Sequence, residues 1–225
     1  MMSLRLRAPI VSLALLLALC VVPAAAGIAR LANLMAGHAS PESARFFAHP
    51  WPVTLHILSV VPYSTLGATQ FVPAFRRHRW HRVAGALAVP LGLSGALTGL
   101  WMAQVYPWPA GDGEAVYLER LLVGTVMAVA IIRGAWALRQ HEYSAHGAWM
   151  TRGYALGMGA GTQVLTHLPW FVFIGTPGES ARAVLMGLGW AINYALAESL
   201  IRRQRVKVAS GSRIASVGAF PTPAT

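Results

Sequence analysis

His56, His81, His146 and His167 each fall inside an apolar run or at its edge. Ionisable side chains are costly in such surroundings and mark functional sites by default. An imidazole there can ligate haem iron, hydrogen-bond a quinone, or relay a proton. It can also be an interfacial or packing residue, and these readings stay open together. Depth sorts the four into two layers. His81 and His146 begin their apolar runs and form an inner pair of candidate cofactor ligands. His56 and His167 form a weaker outer pair. Their metal would be the iron of a haem b, in a redox subunit.

Helix geometry bears on this arrangement. From His146 to His167 at about 100° per residue, the two directions differ by only about 60°. Gly153, Gly157 and Val164 share that stripe, so both imidazoles would face one neighbour across a groove of small residues. The same spacing separates them by about 31 Å along the axis, a long distance for two haems exchanging electrons.

Other polar residues sit among apolar neighbours. Arg133 lies within the fourth run, placed to snorkel or to pair inside the bundle. Gln70 and Gln163 are placed to hydrogen-bond between helices. Pro62 and Pro90 are candidate kinks. Glu198 and Arg202 stand at ion-pair spacing on one helix, and Glu119 and Arg120 read as interfacial. Cys20 is the single cysteine, which leaves no intrachain disulfide. No Walker loop, H-E-x-x-H or G-x-S-x-G pattern occurs. "GMGAG" follows no strand, so a dinucleotide site fails for lack of context.

The elements that would hold these groups are membrane helices. Of 225 residues, 56% are hydrophobic and 11% charged, and mean hydropathy is +0.52; soluble domains carry about 25% charge. Six runs reach the roughly 20 residues a span requires: 8–29, 53–75, 83–106, 116–138, 149–173 and 183–201. Trp51, Trp80, Tyr106, Trp108, Tyr117, Trp149 and Trp170 mark their ends, where amphipathic rings settle at interfaces. The expected fold is an all-α polytopic bundle of six spans, a four-helix core with one flanking helix at each end. Its parts are an anchor and outer loop over 1–52, the core over 53–175, a sixth helix over 176–202 and a disordered basic tail over 203–225.

The net charge of +11 is placed for orientation. Arg5 and Arg7, the Arg76–Arg82 turn, Arg139 and Arg152, and the cluster from Arg202 to Arg213 alternate onto one side. The opposite loops hold only Arg30, Arg45 and Arg182. Both termini are therefore expected in the cytoplasm, in an inner membrane, with the basic turns resting on anionic headgroups. Cations interleaved with spans do not form the basic face that nucleic acid needs. "MMSLRLR", an apolar run and "VVPAAAG" also fit a signal peptide, but a run of about 22 residues exceeds the usual 7–15 and favours an uncleaved anchor.

Gly153, Gly157 and Gly161, and Gly92, Gly95 and Gly99, permit close helix approach. They could serve packing within the chain, a flat ligand, or a second copy or redox partner.

Two stretches carry a family resemblance. "HILSVVPYSTLGATQFVPAFRRHRWHRVAGAL" holds His56, Gly67, Gln70, Phe71, His81, Arg82 and Gly85. "HGAWMTRGYAL" holds His146, Trp149, Met150, Arg152 and Tyr154 to Leu156. Over 56–156 the chain resembles the predicted membrane-protein family called domain of unknown function 2306, departing from its pattern where Ala86 follows Gly85. The resemblance implies a multi-pass protein with a core of about four helices and assigns no activity. Arg152, within the second stretch, joins the histidines as a candidate cofactor contact. Three functions are then expected to compete: a haem- or quinone-linked electron-transfer subunit, a small-molecule carrier using Arg133, Gln70 and the proline breaks, and an assembly partner.

Overall fold

Long apolar stretches without strand-type alternation dictate helices, and in the computed structural model of the chain helices are the regular secondary structure of its described residues. These are residues 2–217, with side chains described from 10 to 206. The helices are α1 (Met2–Ala36), α2 (Ala44–Ala48), α3 (Pro50–Gln70), α4 (Arg79–Val105), α5 (Glu114–Arg139), α6 (Tyr143–Gly157), α7 (Gly159–Phe173) and α8 (Glu179–Val217), with one 3₁₀ turn over Pro73–Phe75. One end of the bundle carries the Arg76–Arg82 turn and the α5–α6 turn. The far end carries α2 and the α4–α5 and α7–α8 loops.

Four helices are long and apolar enough to cross a membrane: α1 over Ile10–Ala36, α4, α5, and α8 over Glu179–Val206. The expected six are not all of this kind, for two physical reasons. In α3 the prolines at 50, 52 and 62, with His56, Tyr63 and a series of Ser and Thr, dilute the apolar character. The expected fifth span is two helices of 15 residues each, α6 and α7, parted at Met158. At about 1.5 Å per residue each is too short to span alone.

The charged stretch from Arg203, expected to be tail, continues α8 to Val217. Arg, Gln and Lys are good helix formers, and no proline interrupts them there. The last part of the expected tail, 218–225, lies outside the described residues.

α3 packs along α4, α4 along α5, α5 along α6, and α7 along α8, while α1 lies on α3 and α7. Cys20, Tyr63, Met127, Ile131, Tyr154 and Met158 make the central core, with Leu13, Leu16 and Leu19 of α1 packed against it. The α5–α6 turn is held by His141 at φ 60°, a left-handed C-terminal cap that returns Glu142 N–H to the Ala137 carbonyl at 2.9 Å.

Glycine is what brings these helices close. A Cβ at Gly95 would meet Val60 at 2.8 Å, at Gly153 Ile131 at 3.0 Å, and at Gly157 Tyr63 at 2.8 Å. At Gly161 it would overlap the Leu19 carbonyl of α1. At Gly95, Gly153, Gly157 and Gly161 the close approach is thus between the chain's own helices.

Candidate functional site

The break at Met158 is the feature around which the site forms. Where a helix stops inside an apolar bundle, its carbonyls lose their partners and must find others. Asn193 of α8 supplies one: its Nδ2 donates to the Ala155 carbonyl at 3.1 Å. Its Oδ1 accepts from Thr162 Oγ1 on α7 at 2.7 Å. One buried amide therefore ties the two half-helices across their junction. Asn193→Leu should lower stability by about 1–2 kcal/mol, since it strands both partners. Thermal unfolding in detergent measures this, and an unchanged midpoint would show the clamp to be idle.

Beside the break lies a partly open cavity of about 410 Å³. It runs from the far end, at Arg45, Trp108 and Arg120, to Cys20, Tyr63 and Met158 at mid-depth. Its lining is mainly apolar and includes Gly95, Gly99, Gly124, Gly157 and Gly161. A few polar groups are placed along it.

Tyr63 is 3% exposed, and its buried hydroxyl has no hydrogen-bond partner. An orphaned buried hydroxyl is unfavourable by about 1–3 kcal/mol, so a ligand atom there would be welcomed. Higher in the cavity, His56 Nδ1 lies 3.0 Å from the Gly95 carbonyl and 3.1 Å from Thr98 Oγ1. A carbonyl only accepts, so Nδ1 carries the proton and Nε2 keeps its lone pair. At the mouth, Arg45 Nη1 donates to the Pro107 carbonyl at 3.1 Å, while its buried Nε is unpartnered. Burial pushes the Arg45 guanidinium below its usual range, and Asp112 pulls the other way. Arg120 Nη1 stands 2.6 Å from Asp112 Oδ2.

The sequence-selected residues divide around this site. His56 lines the cavity. His167 does not: its Nδ1 donates to the Gln163 carbonyl of its own helix at 2.8 Å, and its ring lines a shallow groove between α7 and α8. The outer pair is therefore not brought together. His146 and His167 also stand on separate helices, α6 and α7, so the single continuous helix assumed for their shared stripe is interrupted at Met158. The inner pair is brought within electrostatic range, on α4 and α6. His146 Nδ1 donates to the Gly134 carbonyl at 2.8 Å, and His81 Nδ1 is buried without a partner. Neither residue lines either cavity described above.

Arg152, expected to touch a cofactor, is held by Glu198. Its Nε and Nη2 donate to the two carboxylate oxygens at 2.6 and 3.1 Å, and its guanidinium lies 4.8 Å over Trp149. Glu198 was expected to pair with Arg202 on its own helix, but the bidentate fork across helices wins on geometry. Arg133 is exposed on the bundle surface and faces neither cavity. Gln163 does bridge helices, donating to the Met186 carbonyl at 3.2 Å. Gln70 instead bonds the adjacent Thr69 at 3.4 Å and abuts Gly85.

Sequence reasoning missed Tyr63, Arg45 and Arg120 as site residues. Tyr63 stands in the quoted stretch, one residue after Pro62, but a tyrosine among apolar residues gives no sign that its hydroxyl is stranded. The two arginines lie 75 residues apart and carry no shared motif.

Apolar helices long enough to cross a membrane, with apolar side chains on their outer surfaces and hydrogen bonds between helices, define a polytopic α-helical membrane protein. The chain belongs to the family described as Predicted membrane protein (DUF2306), whose model matches residues 53–201. The match extends beyond the 56–156 stretch that carries the visible motifs, and it takes in α7, with His167, and α8 through Ile201. A search of curated proteins found no match, and neither did a search of solved structures.

Proposed function

We propose that this chain binds, and carries across or within the bilayer, a small and largely apolar molecule held in the cavity beside the Met158 break. The observation that carries the reading is a cavity of about 410 Å³ lined in part by Tyr63, whose buried hydroxyl has no hydrogen-bond partner. A discontinuous helix at mid-depth supports it, because irregular backbone in a membrane is tolerated where it lines a cavity and is common at carrier binding sites. The reading assigns Tyr63 as a donor to the ligand and His56 Nε2 as an acceptor from it.

The reading sets the bundle in the cell's inner membrane as six traverses, with α6 and α7 together making the fifth. The arginine-rich end and both termini are cytoplasmic, on the cation bias of the turns. α1 stays with the protein as an anchor, and its Leu16, Leu19 and Cys20 packing on the core supports this.

Haem-linked electron transfer has weaker support, since the paired His81 and His146 adjoin neither cavity. A quinone-type ring is the second reading. In the quinone form its carbonyl would accept from Tyr63, and in the reduced quinol form a ring hydroxyl would donate to His56 Nε2.

Purification in mild detergent, followed by solvent extraction and mass spectrometry, tests the proposal. The wild-type chain should release about one equivalent of a small molecule. Gly99→Leu should release none. A Cβ at Gly99 would meet only the His56 ring, at 3.5 Å, so the larger side chain enters the cavity and leaves the fold intact. No enriched molecule from wild type, or equal amounts from both, would overturn the reading.

A further inference from the structure

The far-end cations were read from the sequence as the sparse remainder of an orientation bias. The fold gathers them. Arg30 and Arg45 lie on the same Phe46 ring, their guanidinium carbons 4.5 and 4.7 Å from its centroid. Arg120 is within electrostatic range of Arg45 as well, and Arg45 and Arg120 both line the mouth of the cavity. Arg182 joins the cluster through Asp112.

Five acids stand at this end, but among the described residues none of them forms an ion pair with Arg45. Asp112 is shared between Arg120 and Arg182. Glu119 turns toward Gly187 of α8, and Glu179 packs on Gly113. Glu42 and Glu114 are exposed. Among the described residues Arg45 makes no ion pair, although it is half-buried and one of its nitrogens is buried without a partner. Two guanidiniums on one ring with a third close by repel one another, and such a cluster is favourable when an anion sits among them.

We infer that the cavity takes an amphiphile with an anionic head, a carboxylate or phosphate held at its mouth by Arg45 and Arg120, and an apolar tail running down toward Tyr63. This rests on the binding role proposed for the cavity and names the chemical class of its ligand. The walls suit such a molecule. Below the arginines the lining is Val60, Gly95, Ala96, Gly99, Val123 and Gly124, apolar and narrow. The guanidinium fork of Arg45 matches two oxygens of a carboxylate or phosphate. A neutral ring would leave Arg45 without an ion-pair partner.

The test is equilibrium binding of radiolabelled dodecyl phosphate and of dodecanol to the full chain in phosphatidylcholine nanodiscs, corrected against empty nanodiscs. Wild type should bind dodecyl phosphate at least about tenfold more tightly than dodecanol. Arg45→Gln should weaken dodecyl phosphate by about tenfold and leave dodecanol within about twofold. Gly99→Leu should abolish both. Laurate should displace the label, and inorganic phosphate at equal concentration should not. If dodecanol binds as well as dodecyl phosphate, or Arg45→Gln changes neither, the anionic class is overturned while cavity binding stands. If inorganic phosphate displaces the label, the site belongs to a free anion and the amphiphile is overturned. If a phospholipid with an anionic head displaces the label and laurate does not, the free single-chain source is overturned in favour of the bilayer's own lipid. If neither compound binds, the cavity reading falls as well.

Discussion

Glu198→Ala should cost the folded protein about 2–3 kcal/mol, because it leaves the Arg152 guanidinium unpaired between α6 and α8. The side chains of the pair are 15% and 23% exposed, so most of this interaction is shielded from water. Removing one partner strands a charge in apolar surroundings, where a lone Arg costs about 2.5–3.5 kcal/mol. Removing both together is different. Arg152→Met with Glu198→Met replaces the pair by apolar groups of similar length, and it should recover most of the loss. Trp149, which now lies against the guanidinium, would pack on the methionine. Thermal unfolding of the three variants in one detergent reads the comparison. If Glu198→Ala and the double variant melt together below wild type, the cost comes from lost packing and not from a stranded charge.

Gly67→Val should prevent the protein from accumulating in folded form. A Cβ at Gly67 would overlap the Tyr154 ring, and that ring has nowhere to go. Tyr154 is 5% exposed and donates its hydroxyl to the Ser64 carbonyl at 2.8 Å. Its ring packs 5.0 Å from Phe71 and 5.9 Å from Tyr63. Even Gly67→Ala should cost about 1–3 kcal/mol as an overpacked core. Gly67→Ala combined with Tyr154→Leu should recover part of that. The measured quantities are the monodisperse yield and the melting midpoint. A Gly67→Val protein with wild-type yield would mean that α3 and α6 are not packed as described.

The helical character, the alternation of basic turns and the packing role of the glycines were legible in the sequence, because each rests on local composition. Apolar length announces a span, and Gly153, Gly157 and Gly161 announce close approach whatever they approach. The break at Met158 was not legible. "GMGAG" is small and apolar, so it reads as continuous helix, and the clamp that accommodates the break comes from Asn193, 35 residues further on. The Arg152–Glu198 pair was hidden for a similar reason: Arg202 offered Glu198 a partner at the right local spacing, and only the packing of α6 on α8 supplies a better one. The four histidines were visible as polar residues in apolar runs. Sequence depth placed His81 near His146 as the fold does. It also paired His56 with His167, which the fold separates, since depth along a helix says nothing about which neighbour a side chain faces.

The central claim is that the cavity beside the break is a binding chamber reached by apolar molecules from the membrane. Photolabelling with a small neutral diazirine probe, such as an adamantyl diazirine, in phosphatidylcholine nanodiscs tests this most directly. Wild type should be labelled on peptides carrying Cys20, Tyr63 and Gly157, at mid-depth on the cavity wall, in addition to the lipid-facing surface. Gly99→Leu should lose the interior label and keep the surface label. Labelling confined to the lipid-facing surface in both proteins would contradict the account.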